Sequence, residues 1–348
     1  MDENKLQAFM GKFVTDMGGA LMMGVVLIGD ELGLYKAMAD GRPVGADELA
    51  ARCRCNPRLV REWLDANAAA GYLEHADGGY HLPPEQAMAL ADESSPVFVA
   101  PGTNVVGACF TDIDKVLDAF RGDGGLPWGQ HHHRLFHGTE KFFRPGYKAR
   151  LTTAWLPALD GIVAKLEAGA KVADVGCGHG ASTIIMAETY SKSRFFGFDI
   201  HVPSVEVART RAAEAGVADR VTFTAAAAKG YAERGFDLIC FFDCLHDMGD
   251  PVGAARHARQ ALSDDGMIML VEPFAGDSVA DNSNPVGRLF YAVSSMICTP
   301  NSLSQEIGLG LGAQAGERRL GTVMAEAGFS RFRRATETPF NLIFEARK

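Results

Sequence analysis

Val172-Ala173-Asp174-Val175-Gly176-Cys177-Gly178-His179-Gly180 is the stretch whose reading decides the fold. A short apolar run ends in glycines at three alternate positions, and a helical pattern begins at Ala181. The pattern predicts a strand that turns sharply into a helix. Glycine there tolerates positive φ and lets a ligand approach the main chain without meeting a Cβ. The helix that follows offers unpaired N–H groups and the positive end of its dipole. A phosphate loop would need Lys-Ser/Thr after the last glycine, and Ala181-Ser182 is not that pair. The dinucleotide spacing G-x-G-x-x-G/A can be laid over Gly176, Gly178 and Ala181, so it stays open on spacing alone. Two features oppose it. Asp174 stands on the strand where a dinucleotide fold usually carries an apolar residue, and the third glycine comes one position early.

Downstream, strand and helix patterns alternate. A strand over 195–198 ends at Asp199, a carboxylate placed to accept ribose hydroxyls. A helix over 203–215 and a strand over 221–224 lead to Ala228 and Lys229. Phe236–Phe242 is strongly apolar, consistent with a parallel strand buried on both faces. It runs into Asp243-Cys244-Leu245-His246-Asp247-Met248. A helix over 251–262 and a strand over 267–271 close on Glu272-Pro273. The helix at 317–327 stops at Gly328, and two strands, 329–335 and 340–346, flank Glu337-Thr338-Pro339. Ligands of open α/β sheets bind beyond the carboxyl ends of the strands, where this register puts Gly176, Asp199, Asp243 and Glu272. Residues 274–316 are too long for a bare connection. With a helix expected over 285–297, they read as a cap over the acceptor.

Asp-x-Gly-x-Gly-x-Gly at 174–180, the acid at 199, the loop at 243–248 and the antiparallel closing pair resemble the class I S-adenosylmethionine-dependent methyltransferases. The resemblance covers nearly the whole chain. It implies a Rossmann-like α/β fold with a seven-stranded sheet, S-adenosyl-L-methionine as cofactor and a small, partly apolar organic methyl acceptor. It also implies cofactor contacts at Asp174, Gly176, Cys177, Gly178, Asp199, Ile200, Ala228, Lys229 and Asp243, with Tyr147 as an aromatic candidate. Many members carry an Asp near 225–229 for the adenine amino group. This sequence has none, which leaves backbone or Lys229 for that contact. The chemistry is an in-line displacement on a sulfonium methyl, so orientation and desolvation dominate. An oxygen acceptor must also lose a proton. His246 is the best-placed base, and Glu272 is the second catalytic candidate. O-, N- and C-methylation are not separated.

Upstream, apolar residues at helical spacing from Leu6 to Ile28 predict a helix over 3–30 that needs a partner surface, read as homodimerisation. Residues 31–100 then read helix, helix, helix, hairpin: a winged helix-turn-helix with the turn Asp77-Gly78-Gly79 as its wing. DNA binding is not expected. Residues 1–100 hold eight Lys/Arg and fifteen Asp/Glu, where a footprint on DNA should be basic. The module, 1–100, is read as a dimerisation domain, followed by a helical bridge at 101–168 and a catalytic domain at 169–348. The bridge contains the breaker-rich loop 122–129 and a helical pattern from Thr139 that Pro145 and Pro157 divide. His131-His132-His133 and His137 lack an Asp, Glu or Cys at ligand spacing, so no metal is expected there. One of them is placed to reach the pocket.

The 348 residues suffice for two domains, and a net charge of −9 argues against a polyanionic partner. The apolar run at 18–28 is short for a membrane span, and the acidic start is no secretory signal. Seven cysteines without zinc-knuckle spacing read as reduced thiols, hence a cytoplasmic protein away from membranes. Two alternatives remain at this level: a ligand-sensing transcriptional regulator and an NAD(P)-dependent reductase.

Overall fold

The computed structural model describes every residue except Asp77 and Asp123. The chain forms two compact units, residues 1–110 with 133–146 and residues 111–132 with 147–348. The expected bridge is therefore shared between them, and the helix Arg134–Arg150 carries the later boundary. That helix runs through Pro145, where a break was expected, and opens into a wide turn at Leu151–Trp155.

In the first unit Glu3–Glu31 is one helix, capped by the Asp2 carboxylate, which accepts from Lys5 N–H. Phe13 to Asp30 contains only two charged residues, Asp16 and Asp30. By length and composition the helix is long and apolar enough to cross a membrane, which corrects the reading of 18–28 as too short. Its C-terminal end joins the winged-helix core instead. A Cβ on Gly29 would lie 2.5 Å from the Tyr35 ring and 2.6 Å from Trp63. Glycine is what lets the helix settle there, and Trp63 Nε1 donates to the Val25 carbonyl at 2.9 Å. The helices Leu34–Ala37, Ala46–Cys53 and Pro57–Ala69 follow. Asn56 caps the last, accepting from the N–H groups of Arg58 and Leu59. Strands β1 (Glu74–Ala76) and β2 (Gly79–His81) pair antiparallel. Asp77 of the expected turn lies outside the described residues.

The second unit is built on a seven-stranded sheet: β3 (Lys171–Val175), β4 (Arg194–Asp199), β5 (Val221–Ala225), β6 (Phe236–Phe242), β7 (Leu262–Pro273), β8 (Arg331–Glu337) and β9 (Asn341–Arg347). The order is β5-β4-β3-β6-β7-β9-β8. β9 runs antiparallel to both its neighbours, and the other pairings are parallel. β3 and β6 are almost wholly buried, with Lys171 and Asp237 only partly so, as strands covered by helices on both faces must be. Phe198 stacks on Tyr231 in the core at 4.4 Å between ring centroids. β7 is longer than expected because Phe236 pairs with Leu262 before the register shifts to Leu238 with Met267.

The order in which strands are added reverses at β3. The chain moves outward through β4 and β5, then crosses to β6 and β7 on the other side. The strand ends on either side of β3 therefore frame a crevice, the usual ligand site of such sheets. The insertion after β7 forms a longer helical segment than expected, Pro285–Val293, a wide turn Ser294–Cys298 and Thr299–Leu303.

Candidate active site

The turn after β3 uses its three glycines differently. All have positive φ: Gly176 at 80°, Gly178 at 51° and Gly180 at 78°. A Cβ on Gly176 would meet Cys244 Sγ at 2.7 Å, and one on Gly180 would meet the Phe223 ring at 2.5 Å. A Cβ on Gly178 would meet nothing within 4 Å. Gly176 and Gly180 are glycines because protein packs on them. Gly178 borders open space, where a ligand can approach the main chain.

Asp174 is buried beneath this turn and accepts from Ser182 Oγ and Thr183 Oγ1, both at 2.6 Å. The helix Ala181–Thr189 supplies both hydroxyls. The other oxygen, Oδ1, has no hydrogen-bond partner among the described residues. Burial pushes the carboxyl up to about 6, against the two hydroxyls and with the help of Asp199. Asp199 accepts from Gly178 N and from His201 N, each at 2.8 Å, tying the glycine turn to the end of β4. Burial raises this carboxyl too, and the two N–H donors lower it. Cys177 is buried, whereas Ile200 beside Asp199 is exposed.

Across β3, Asp243 follows β6 with φ of 49°, a left-handed conformation that a non-glycine residue adopts at a cost of about 1–2 kcal/mol. Three elements hold it there. Its N–H donates to Val271 O at 2.8 Å, Tyr147 OH donates to Oδ2 at 3.2 Å, and Asn341 Nδ2 donates to Oδ1 at 2.9 Å. Burial, reinforced by Glu272, pushes the Asp243 carboxyl up to about 8. Tyr147 is buried against Trp155 and Phe242. Lys229 is drawn elsewhere, with Nζ 2.9 Å from Asp250 Oδ2 and 3.5 Å from Glu306 Oε2. Ala228 lies in the turn before it. Sequence reasoning offered Lys229 for adenine, and these carboxylates compete for its charge.

His246 and Glu272 are both buried and in direct contact through His246 Nδ1 and Glu272 Oε2. The other Glu272 oxygen accepts from Leu245 N at 3.1 Å, fixing the loop that carries the histidine. With Nδ1–H donating to the carboxylate, Nε2 is the nitrogen left to take a proton. Burial depresses the imidazole, but Glu272 and Asp247 outweigh it and raise His246 well above its ordinary value. The insertion secures this loop from above. Asn301 Nδ2 donates to Asp247 O, Ser302 Oγ to Met248 O and Gly312 N to His246 O.

Of the histidine run, His131 belongs to this unit and is buried. Its Nδ1 lies 3.1 Å from Asp112 Oδ2, and Nε2 has no hydrogen-bond partner among the described residues. Asp112 lies nineteen residues upstream, at no recognisable spacing, so sequence reasoning missed the pair. His133 and His137 belong to the other unit.

The crevice thus gathers buried carboxyls held above their usual range, which a cationic ligand would relieve and a phosphate would aggravate. The unpartnered Asp174 oxygen and the open space at Gly178 fit the ammonium, sulfonium and neutral ribose of S-adenosylmethionine. They do not fit a pyrophosphate. Dehydrogenase sheets also lack the reversed β9. Residues 166–328 match the methyltransferase domain family and residues 19–92 the Rv2258c-like winged HTH domain. The 27-O-demethylrifamycin SV methyltransferase of Amycolatopsis mediterranei (strain S699) is 32% identical over 193 residues, 53% of this chain and 69% of that protein. The chain belongs to the S-adenosylmethionine-dependent methyltransferases. Human N-acetylserotonin methyltransferase, solved with S-adenosylmethionine, superposes on this methyltransferase with a TM-score of 0.71 at 19% identity, over 98% of each chain. Mitomycin 7-O-methyltransferase gives 0.70 at 18% identity, over 99% of this methyltransferase and all of its own chain. The wheat (Triticum aestivum) phosphoethanolamine N-methyltransferase 1 is 31% identical, but over only 38% of this methyltransferase and 26% of its own length. Both O- and N-methyltransferases thus resemble this catalytic unit.

Proposed function

We propose that this enzyme methylates a hydroxyl group on a small, partly apolar organic acceptor, with His246 as general base. The observation that carries the reading is the His246–Glu272 contact. An amine acceptor needs no base when it arrives neutral, but a hydroxyl must lose its proton during transfer. Glu272 orients the ring and stabilises the imidazolium that forms, leaving Nε2 to receive the proton. The rifamycin and mitomycin relatives, whose names specify oxygen as the methylated atom, support this reading.

S-adenosylmethionine, when bound, supplies an electrophilic methyl group on a sulfonium. The protein's part is to position and to exclude water. Gly178 admits the ligand's approach to the backbone, Asp199 receives the ribose hydroxyls, and Ile200 and Cys177 supply apolar contact. Asp174 and Asp243 offer carboxyls that a cationic end draws into their ionised form, with Tyr147 holding Asp243 in place. Gly176 keeps the loop after β6 close to the turn, and Ala228 lines the adenine side.

The enzyme is proposed to be a cytoplasmic homodimer, joined through the exposed apolar face of the helix Glu3–Glu31, where Phe9, Phe13, Met17 and Leu21 stand in solvent. A second copy satisfies that face without a membrane. DNA is not proposed as a partner. On the helix Pro57–Ala69 Arg58 is paired with Glu62 at 2.5 Å, and on the helix Ala46–Cys53 Arg52 is paired with Glu48 at 2.5 Å, so each would have to leave a carboxylate to meet a phosphate.

The test is atom-specific. The enzyme is incubated with cofactor carrying a ¹³C methyl group and a fractionated metabolite extract, and labelled products are identified by NMR. Label on oxygen is expected. Label confined to nitrogen or carbon overturns the reading.

A further inference from the structure

The loop after β6 and the wide turn of the insertion bring together three atoms of ligand type. His246 Nε2, Asp247 Oδ1 and Cys298 Sγ lie within 4.8 Å of one another, with His246 and Cys298 buried. Asp247 Oδ1 is buried and lies 3.1 Å from His246 Nε2, with no well-aligned hydrogen bond among the described residues.

The chemistry of the set indicates what it would hold. Glu272 grips the far nitrogen of His246, the arrangement that fixes a ligating imidazole and raises its basicity. Nitrogen and oxygen ligands about 2.0–2.1 Å from a tetrahedral zinc lie roughly 3.3 Å apart. The 3.1 Å separation is close to that. A thiol with an imidazole and a carboxylate selects zinc-class ions over magnesium or calcium. Cys298 ends the wide turn Ser294–Cys298, a feature that gathers at functional sites. Cys298 would bind as the thiolate, giving up its proton as the ion enters.

We propose that His246, Asp247 and Cys298 form a three-ligand site for a zinc-class divalent cation, which occupies His246 Nε2 and holds methyl transfer off. On binding, Cys298 gives its proton to solvent, as does the imidazole when it carries one. No electrons move. The affinity therefore rises with pH. The binding itself is independent of the acceptor. Only the inhibition rests on His246 acting as the base.

Cobalt(II) is the probe, added to the full-length metal-free protein. A thiolate-to-cobalt charge-transfer band is expected at one equivalent per chain, removed by added zinc. Cys298→Ser and Cys298→Ala should both lose the band and bind zinc at least ~10-fold more weakly, the loss of one ligand's share of affinity. Methyl transfer without metal should be unchanged in both, and its inhibition by zinc relieved. Thermal melts check their folding. Should both melt early, His246→Gln with Cys298 intact gives the second reading, and it must weaken zinc binding by a similar factor. No band in the wild type overturns the site, as does a band that survives in a folded Cys298 variant. A band of the expected behaviour with transfer insensitive to zinc supports the site and counts against His246 as the base.

Discussion

Substituting alanine separately at Gly176 and Gly178 separates packing from ligand approach. Both residues have positive φ, so each alanine carries the left-handed penalty of about 1–2 kcal/mol. At Gly178 the new methyl meets nothing within 4 Å, so the strain is the whole structural cost. At Gly176 it meets Cys244 Sγ at 2.7 Å and Cys244 Cβ at 3.0 Å. The Cys244 thiol also donates to Val175 O at 3.1 Å, so it cannot move aside without losing that bond. Overpacking of this kind adds about 1–3 kcal/mol. Gly176→Ala should therefore be destabilised by roughly 2–5 kcal/mol, the sum of the two ranges, and Gly178→Ala by no more than about 2. Binding should invert the order of specificity. Gly178→Ala should stay folded and lose at least ~10-fold in S-adenosylmethionine affinity, because its methyl fills the space the ligand needs. Urea denaturation of the cofactor-free proteins gives the first quantity and calorimetric titration the second. A Gly178→Ala protein that binds the cofactor as the wild type does would show that the ligand does not approach this turn.

Asp199→Ala should weaken cofactor binding by roughly 2–3 kcal/mol, the scale of truncating a charged hydrogen-bonding partner, and titration within error of wild type would remove it as the ribose ligand. Asp174, held at about 6, is protonated more readily in the folded than in the unfolded chain. Stability of the cofactor-free protein should thus fall as pH rises from about 4 to 6. The penalty above that window is about 3 kcal/mol, from a two-unit shift. Asp174→Asn, which can still accept from Ser182 and Thr183, should flatten this part of the curve; urea midpoints at several pH values that run parallel to wild type would contradict it. Removing residues 1–20 should convert a dimer to a monomer in sedimentation, sparing Val26 and Gly29, which belong to the winged-helix core. A monomeric full-length chain would refute the dimer, as would a truncated chain that stays tightly dimeric.

The sheet was legible because its signals are local and repeated. Apolar runs ending in Gly176, Asp199, Asp243 and Glu272 place one edge together by topology alone, and the closing strands were found within two residues of their bounds. The burial of Asp174 under Ser182 and Thr183 was not legible, since nothing in spacing says which way a strand-end carboxylate turns. The carboxylate neighbours of Lys229 were not legible for a similar reason: Asp250 and Glu306 are distant in sequence and near in space. The partner of His131, the continuation of a helix through Pro145 and the wide turn at Ser294–Cys298 are set by tertiary packing, which local propensity does not encode.

The most direct test of His246 as general base is turnover against pH for wild type and His246→Ala, with cofactor affinity measured alongside, using the hydroxylated acceptor that isotope labelling identifies. The neutral imidazole is the active form, and its carboxylate neighbours favour the charged one. The wild-type rate should therefore climb with pH through a midpoint above about 6.5, the unperturbed histidine value. His246→Ala should lose this limb and fall by ~10²–10⁴-fold, the range for removal of a general base, while binding S-adenosylmethionine as before. A fully active His246→Ala enzyme would contradict the assignment, as would a variant that keeps the pH limb.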